Sequence, residues 1–156
     1  MLNCTYEGER RVSKIQRLDP LLERYESEYH YLFARVYQSI EGVDATLEDN
    51  YMLPNLARRV LETFLAFRQP DNSGDLWNRL GQVSFDEAKK TGILRFVHTH
   101  SHRDTIGEAE HDPSVLGESS AVLADLLDLI KSEDRSHFDA MVRLVNSLTE
   151  EESDGG

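Results

Sequence analysis

The sequence has one cysteine, four prolines and no long apolar run among its 156 residues. The single cysteine, Cys4, cannot form an internal disulfide, which is typical of proteins in a reducing compartment. No stretch approaches the roughly 20 apolar residues that a membrane-spanning helix needs, and the first residues lack a signal-peptide pattern. We therefore expect a cytoplasmic protein that makes no membrane contact.

The common catalytic and nucleotide-binding motifs are also missing. The sequence contains no G-x-x-x-x-G-K-[ST] phosphate loop, no G-x-G-x-x-G fingerprint and no G-x-S-x-G nucleophile motif. No charged activator of Cys4 can be identified from the sequence, so it is not expected to act as a nucleophile. We expect no ATPase activity from this chain alone and no bound cofactor.

Basic residues are scarce in the last third of the chain. Residues 1–103 carry 14 Lys/Arg and 15 Asp/Glu, a net charge of −1, whereas residues 104–156 carry 3 and 14, a net charge of −11. An acidic surface repels nucleic acid, so any RNA contact must fall in the first two-thirds of the chain. A solvated acidic face with an acidic tail is the simpler interpretation of the last third.

The length suits one domain, and the apolar spacing is mostly helical. Residues 2–18 alternate loosely around Glu7-Gly8 and predict a short β-hairpin. Helices are predicted over residues 20–40, over 54–67, around 76–80, after the Ser84/Glu87 capping pattern, from Asp112-Pro113 and over 135–148. The predicted fold is mainly α, a bundle of about five helices with an N-terminal β-hairpin, and residues 150–156 form a disordered acidic tail.

Arg58 and Glu62 are spaced four residues apart on the second predicted helix, so their side chains meet on one face. That face is rotated away from the apolar stripe predicted for this helix, which consists of Leu53, Leu56, Val60, Phe64 and Phe67. The spacing fits an ordinary surface ion pair, and it also fits the arginine and glutamate of a nuclease site.

Three histidines follow Arg95 at alternate positions: His98, His100 and His102. In a helix, residues two apart point about 200° apart and cannot all face one site, whereas in an extended segment they share a face. A histidine at the end of an element suits a general base near neutral pH, and it equally suits a polar helix end.

A metal site is the third interpretation of the same region. The H-x-H-x-H pattern, with His111, Asp104, Glu108 and Glu110 nearby in sequence, supplies enough ligands for zinc or manganese. No recognised ligand spacing such as H-E-x-x-H is present, so we expect no bound metal.

Three segments resemble one protein family: residues 26–37 (ESEYHYLFARVY), 51–70 (YMLPNLARRVLETFLAFRQP) and 93–102 (ILRFVHTHSH). They are similar to the C-terminal region of RloC/PrrC-like ATPases, which are SMC/ABC-like AAA proteins of the anticodon-nuclease type in phage defence. In that family a P-loop ATPase regulates a helical ribonuclease module of the HEPN superfamily. The resemblance implies that residues 1–18 match the end of the ATPase core and that residues 19–149 form the HEPN-like module.

The resemblance also implies an active site made of an arginine, a glutamate one helical turn later and a downstream histidine. Arg58 and Glu62 match the first two, with Arg59 as an alternative arginine, and His102 or else His100 matches the histidine. Arg95 with His102, or with His100, fits the R-x4-6-H pattern of HEPN nucleases. The family implies metal-independent cleavage of RNA, with tRNA as the expected target, a homodimer with the site at its seam, and a P-loop ATPase domain or chain as partner. Two other functions stay open: a non-catalytic interaction or dimerisation module of an AAA ATPase, and a histidine-rich metal-binding domain.

Overall fold

The computed structural model describes residues 2–8, 10–15, 23–40, 47–71, 74–99 and 114–154. Side chains are described mainly within residues 23–40, 51–71, 74–98 and 119–148. These residues form two strands, β1 (Leu2–Glu7) and β2 (Arg10–Ile15), and six helices. The helices are α1 (Glu28–Ile40), α2 (Leu47–Arg68), α3 (Leu76–Gly81), α4 (Glu87–Thr99), α5 (Ser114–Glu133) and α6 (Arg135–Asp154). The prediction of a mainly helical protein is confirmed, with six helices rather than about five.

The two strands pair antiparallel, from Leu2 opposite Ile15 to Glu7 opposite Arg10. Gly8 follows β1 with a φ of 66°, a left-handed conformation that glycine adopts without steric penalty. This geometry explains why a glycine stands at the connection between the strands.

Helix α1 begins later than the sequence predicted. Residues 25–27 are not helical, although residues 23 and 24 are, so the expected continuous helix over 20–40 is wrong; residues 16–22 lie outside the described part of the chain. The backbone N–H of His30 donates to Ser27 Oγ at 3.1 Å, and the N–H of Tyr31 donates to the Ser27 carbonyl at 3.1 Å. Ser27 therefore caps a new helix that begins at Glu28, eight residues after the predicted start at residue 20.

Helix α2 begins at Leu47 rather than near Pro54, which lies buried inside the helix. Proline tolerates the first turn best, and that preference produced the wrong expected start. The buried face is wider than the predicted stripe, because it includes Ala57, Leu61 and Leu65. Phe67 was expected to be buried, but it is 81% exposed in the last turn of the helix, where no described element covers it.

The short helix α3 lies where it was predicted, and its cap is clear. The Asn78 N–H donates to Asp75 Oδ1 at 2.9 Å. Helix α4 is capped by Asp86 rather than by Ser84, since the Lys89 N–H donates to Asp86 Oδ1 at 2.9 Å. A cap two residues later moves the start of the helix to Glu87.

The buried apolar side chains of α4 are Ile93, Leu94, Phe96 and Val97, which pack into the core. Ala88 is exposed, and Phe85, just before the helix, is half-buried.

Helices α5 and α6 complete the bundle. Asp134 separates them, and its Oδ1 accepts the His137 N–H at 2.9 Å, which caps α6. The backbone of α6 continues to Asp154, beyond the predicted end at Leu148, because no glycine or proline interrupts the chain before Gly155.

Helix α2 is the centre of the packing, with contacts to α1, α3, α4 and α5. Helix α1 also packs against α5 and α6, and α5 packs against α4 and α6. The side chains that are almost completely buried are mainly leucine, isoleucine and valine with one aromatic residue: Phe33, Val36, Val60, Leu61, Leu65, Leu80, Ile93, Val97, Leu123, Leu126, Leu129 and Ile130. They come from α1 to α5 and form one continuous core.

Candidate functional site

Arg58 and Glu62 are brought together on the outer face of α2. Arg58 Nε donates to Glu62 Oε1 at 2.8 Å, and the two side chains are 33% and 43% exposed. A partly exposed pair four residues apart stabilises a helix by only about 0.2–0.5 kcal/mol, so its contribution to the fold is small. Both side chains are therefore partly accessible to solvent.

The neighbouring Arg59 points to a different partner. Its guanidinium bonds Glu28 Oε1 at the start of α1, through side chains that are 54% and 67% exposed. Glu62 therefore pairs with Arg58, and of the two arginines proposed from the sequence Arg58 fits the R-x-x-x-E element.

The histidine of the expected site lies mostly outside the described residues. His98 occupies the last turn of α4 and is half-buried, and Arg95 lies one turn earlier and is exposed. His100 and His102 fall outside the described part of the chain. Helices α2 and α4 pack against each other, but the convergence of Arg58, Glu62 and a histidine stays a prediction.

A groove of about 570 Å³ opens beside Glu62, between the C-terminal half of α2 and α3. It is open to solvent and mostly apolar. It is lined by Glu62, Thr63, Ala66, Phe67, Gly74, Asp75, Leu76 and Arg79. Residues of α2 and α3 line the groove together only because the two helices pack against each other, so the groove could not be predicted from local sequence patterns.

A second group of polar side chains joins α1, α2 and α6. Tyr29 Oη lies 3.0 Å from His137 Nε2, and the imidazole packs against the rings of Tyr29 and Phe64 at centroid distances of 5.5 and 5.7 Å. Burial lowers the pKa of His137, as does the nearby Arg68, while Asp134 opposes that change. Burial also raises the pKa of the Tyr29 phenol well above its usual value. This group stabilises contacts between helices, and the sequence analysis did not identify it, because Tyr29 and His137 are 108 residues apart.

His30 is another polar residue that the sequence did not mark. It is 2% exposed, its Nδ1 accepts the Glu26 N–H at 3.3 Å, and its buried Nε2 makes no hydrogen bond with a described residue. Burial lowers its pKa, and the backbone of Leu144 and the charge of Glu26 oppose that change. It belongs to the start of α1, and the residues described here give it no chemical role.

Within the described ranges, no three histidine, cysteine or carboxylate side chains lie close enough together to hold a metal ion. Most of the ligands considered for the metal interpretation lie in residues 100–111, which are outside those ranges. No helix in the part of the chain that the structure describes combines the length and apolar character needed to cross a bilayer.

One comparison places the chain in a known protein family. The AAA_13 family model, described as an AAA domain, matches residues 3–128. No curated protein and no solved structure matches the chain. The match spans the strands, α1 to α4 and most of α5, including Arg58, Glu62 and the groove. The chain belongs to the AAA domain family.

Proposed function

We propose that this chain is the helical module of an AAA ATPase system and cleaves RNA without a metal. The observation that carries the proposal is the Arg58–Glu62 pair, because it forms the arginine and glutamate element on an accessible helix face. Membership of the AAA domain family agrees with the resemblance to RloC/PrrC-like ATPases, whose helical region is a HEPN-type ribonuclease. A phosphate loop is missing from the chain, so a P-loop ATPase domain or chain is the proposed partner.

In the proposed reaction, His102, or else His100, removes the proton from a ribose 2′-OH. The 2′ oxygen forms a bond to the adjacent phosphorus, and the bond from phosphorus to the 5′ oxygen breaks. A proton delivered to that 5′ oxygen balances the one removed, which leaves a 2′,3′-cyclic phosphate and a 5′-hydroxyl. Arg58 stabilises the negative charge that develops on the phosphoryl oxygens.

Glu62 has a positioning role in this reaction. Its Oε1 accepts the Nε–H of Arg58, which orients the guanidinium on the helix face, and the Arg58 side chain is 33% exposed. Arg95, one turn before His98, is a second proposed source of positive charge.

Incubation of the purified chain with a tRNA pool in EDTA tests the proposal. We expect cleavage products ending in a 2′,3′-cyclic phosphate, and we expect His102→Ala or His100→Ala to abolish them. The experiment is repeated with the ATPase partner and its nucleotide. A folded, dimeric chain that cleaves no RNA under either condition contradicts the proposal.

A second function, a non-catalytic interaction module of an AAA ATPase, is favoured by the charge distribution. The net charge of −11 in residues 104–156 disfavours contact between this part of the chain and a polyanionic substrate. This alternative predicts that the chain copurifies with the ATPase and that all arginine and histidine variants leave the association unchanged and show no cleavage.

A further inference from the structure

The groove between α2 and α3 has a large exposed aromatic ring on its wall. Phe67 lines the groove and is 81% exposed. Trp77, which follows the groove residue Leu76 in the chain, is 61% exposed. Exposed aromatic rings beside a groove are the surfaces on which unpaired bases stack, and such stacking works with any base.

The groove also contains a cationic side chain, that of Arg79. Arg79 lines it, and the Nε atom of Arg79 is buried without a hydrogen bond. No carboxylate forms an ion pair with Arg79 among the side chains that the structure describes. A guanidinium presents five N–H donors in a planar fork, the geometry that phosphate oxygens accept best.

The two carboxylates of the groove are already engaged. Asp75 accepts the N–H of Asn78 as the cap of α3, and Glu62 accepts Nε–H from Arg58. Glu62 also connects the groove to the candidate site, because it lines the groove and pairs with Arg58. The volume of about 570 Å³ lies within the range of about 300–1,000 Å³ usual for sites that bind small ligands.

We propose that this groove binds one nucleotide of a single-stranded RNA, with its base stacked on Phe67 and a phosphate held by Arg79, and so delivers the strand to Arg58 and Glu62. The assignment rests on the proposed ribonuclease function, which makes RNA the substrate. It adds a binding site whose aromatic ring lies about one and a half helical turns from Glu62 and about two and a half turns from Arg58 along α2.

Trp77 is the sole tryptophan of the chain, so its fluorescence reports on the groove without a label. The probe is a short single-stranded RNA in which every ribose carries a 2′-O-methyl group, because a methylated 2′ oxygen cannot attack phosphorus and the strand stays intact. We expect saturable quenching of Trp77 fluorescence in the purified chain at low salt, with a Kd that rises as salt increases. Phe67→Ala and Arg79→Gln each weaken binding by about tenfold, and Arg79→Lys restores part of it.

Two control variants match these changes in chemistry. Met52 is 51% exposed and lies fifteen residues before Phe67 on α2, about 22 Å away along the helix, so Met52→Ala leaves the Kd unchanged. Arg135 is 80% exposed at the start of α6, so Arg135→Gln removes the same charge outside the groove and also leaves the Kd unchanged. Circular dichroism verifies that each variant is folded.

Three results overturn the assignment: no quenching with the wild-type chain, equal Kd values for the groove and control variants, or a change in Trp77 fluorescence that follows protein concentration alone and reveals a second copy of the chain in the groove. Binding at the groove without cleavage of unmodified RNA supports this site and removes the ribonuclease proposal. If Phe67→Ala and Arg79→Gln both cleave unmodified RNA at the wild-type rate, the result supports the ribonuclease proposal and removes this site.

Discussion

Tyr29 Oη lies 3.0 Å from Nε2 of His137, and this contact joins the first described helix to the last. The phenol belongs to α1 and the imidazole to the first turn of α6, where His137 also donates its backbone N–H to Asp134. The pair links α1 to α6 through a partly buried contact. The rings of Tyr29 and Phe64 pack against the His137 imidazole, and burial disfavours its charged form. Protonation of His137 is therefore expected to destabilise the bundle.

We expect the protein to lose stability as the pH falls below about 6.5. Burial lowers the pKa values of His137 and His30 in the folded chain, so between the usual histidine pKa and these lower values the unfolded chain binds more protons. The stabilisation is complete above the unfolded pKa and disappears as the pH falls through the folded pKa. Urea unfolding between about pH 5 and pH 7.5 measures it.

His137→Gln removes one titrating group, so the free energy of unfolding of this variant should fall less steeply with decreasing pH. Tyr29→Phe is the control, because it removes the hydrogen bond but keeps the burial that lowers the pKa of His137; it should lose about 0.5–1.5 kcal/mol at neutral pH and keep the steep pH dependence. Equal pH dependence in the wild-type protein and His137→Gln would show that His137 does not cause the effect.

Arg58 and Arg59 are adjacent but have different partners, which makes them a matched pair for the cleavage assay. Arg58→Ala should reduce cleavage of the tRNA pool by at least about a hundredfold, the usual effect of removing a group that stabilises transition-state charge. Arg59→Ala removes the same charge from the residue that bonds Glu28, and cleavage should change by less than about threefold. Similar losses in both variants would mean that overall charge, rather than the geometry of the pair, decides the rate.

Leu65 and Phe67 lie two residues apart on α2 and test the buried face of that helix. Leu65→Ala removes a completely buried side chain and should lower the free energy of unfolding by about 2–5 kcal/mol. Phe67→Ala truncates a larger side chain that is mostly exposed and should change it by less than about 0.5 kcal/mol. Chemical denaturation of the two variants measures the difference, and a large loss in Phe67→Ala would show that the ring is covered in solution.

Lys90 is 5% exposed, and its Nζ donates to the Val83 carbonyl at 3.0 Å and pairs with Glu87 at 2.7 Å. Lys90→Met keeps much of the packing but removes a hydrogen bond from a charged donor, and the carbonyl keeps only the Phe85 N–H at 3.1 Å, so we expect a loss of about 1–3 kcal/mol in the free energy of unfolding. Glu87→Gln is the comparison, because the Glu87 side chain is 87% exposed and its charge contributes little. Thermal and urea unfolding distinguish the two, and an equal loss in both would assign the stability to the ion pair.

Local sequence patterns predicted the features that depend on neighbours in the chain. The spacing of Arg58 and Glu62 predicted their contact, and Leu76 and Leu80 predicted α3. Where two residues nearby can both cap a helix, the pattern was ambiguous, so Ser84 was chosen although Asp86 caps α4.

Features that depend on packing between distant segments were not predictable in this way. The burial of Lys90 and the contact between Tyr29 and His137 arise only when separate helices pack together. The exposure of Phe67 has the same origin, since helical spacing gives the direction of a side chain but not whether another helix covers it.

Helix α2 packs against α1, α3, α4 and α5, so it cannot slide or turn without disrupting all four interfaces. The guanidinium of Arg58 and the carboxylate of Glu62 are therefore presented from a rigid platform. In the proposed system, control by an ATPase is therefore expected to act on what binds at this platform, such as RNA or a second chain, rather than on the position of α2.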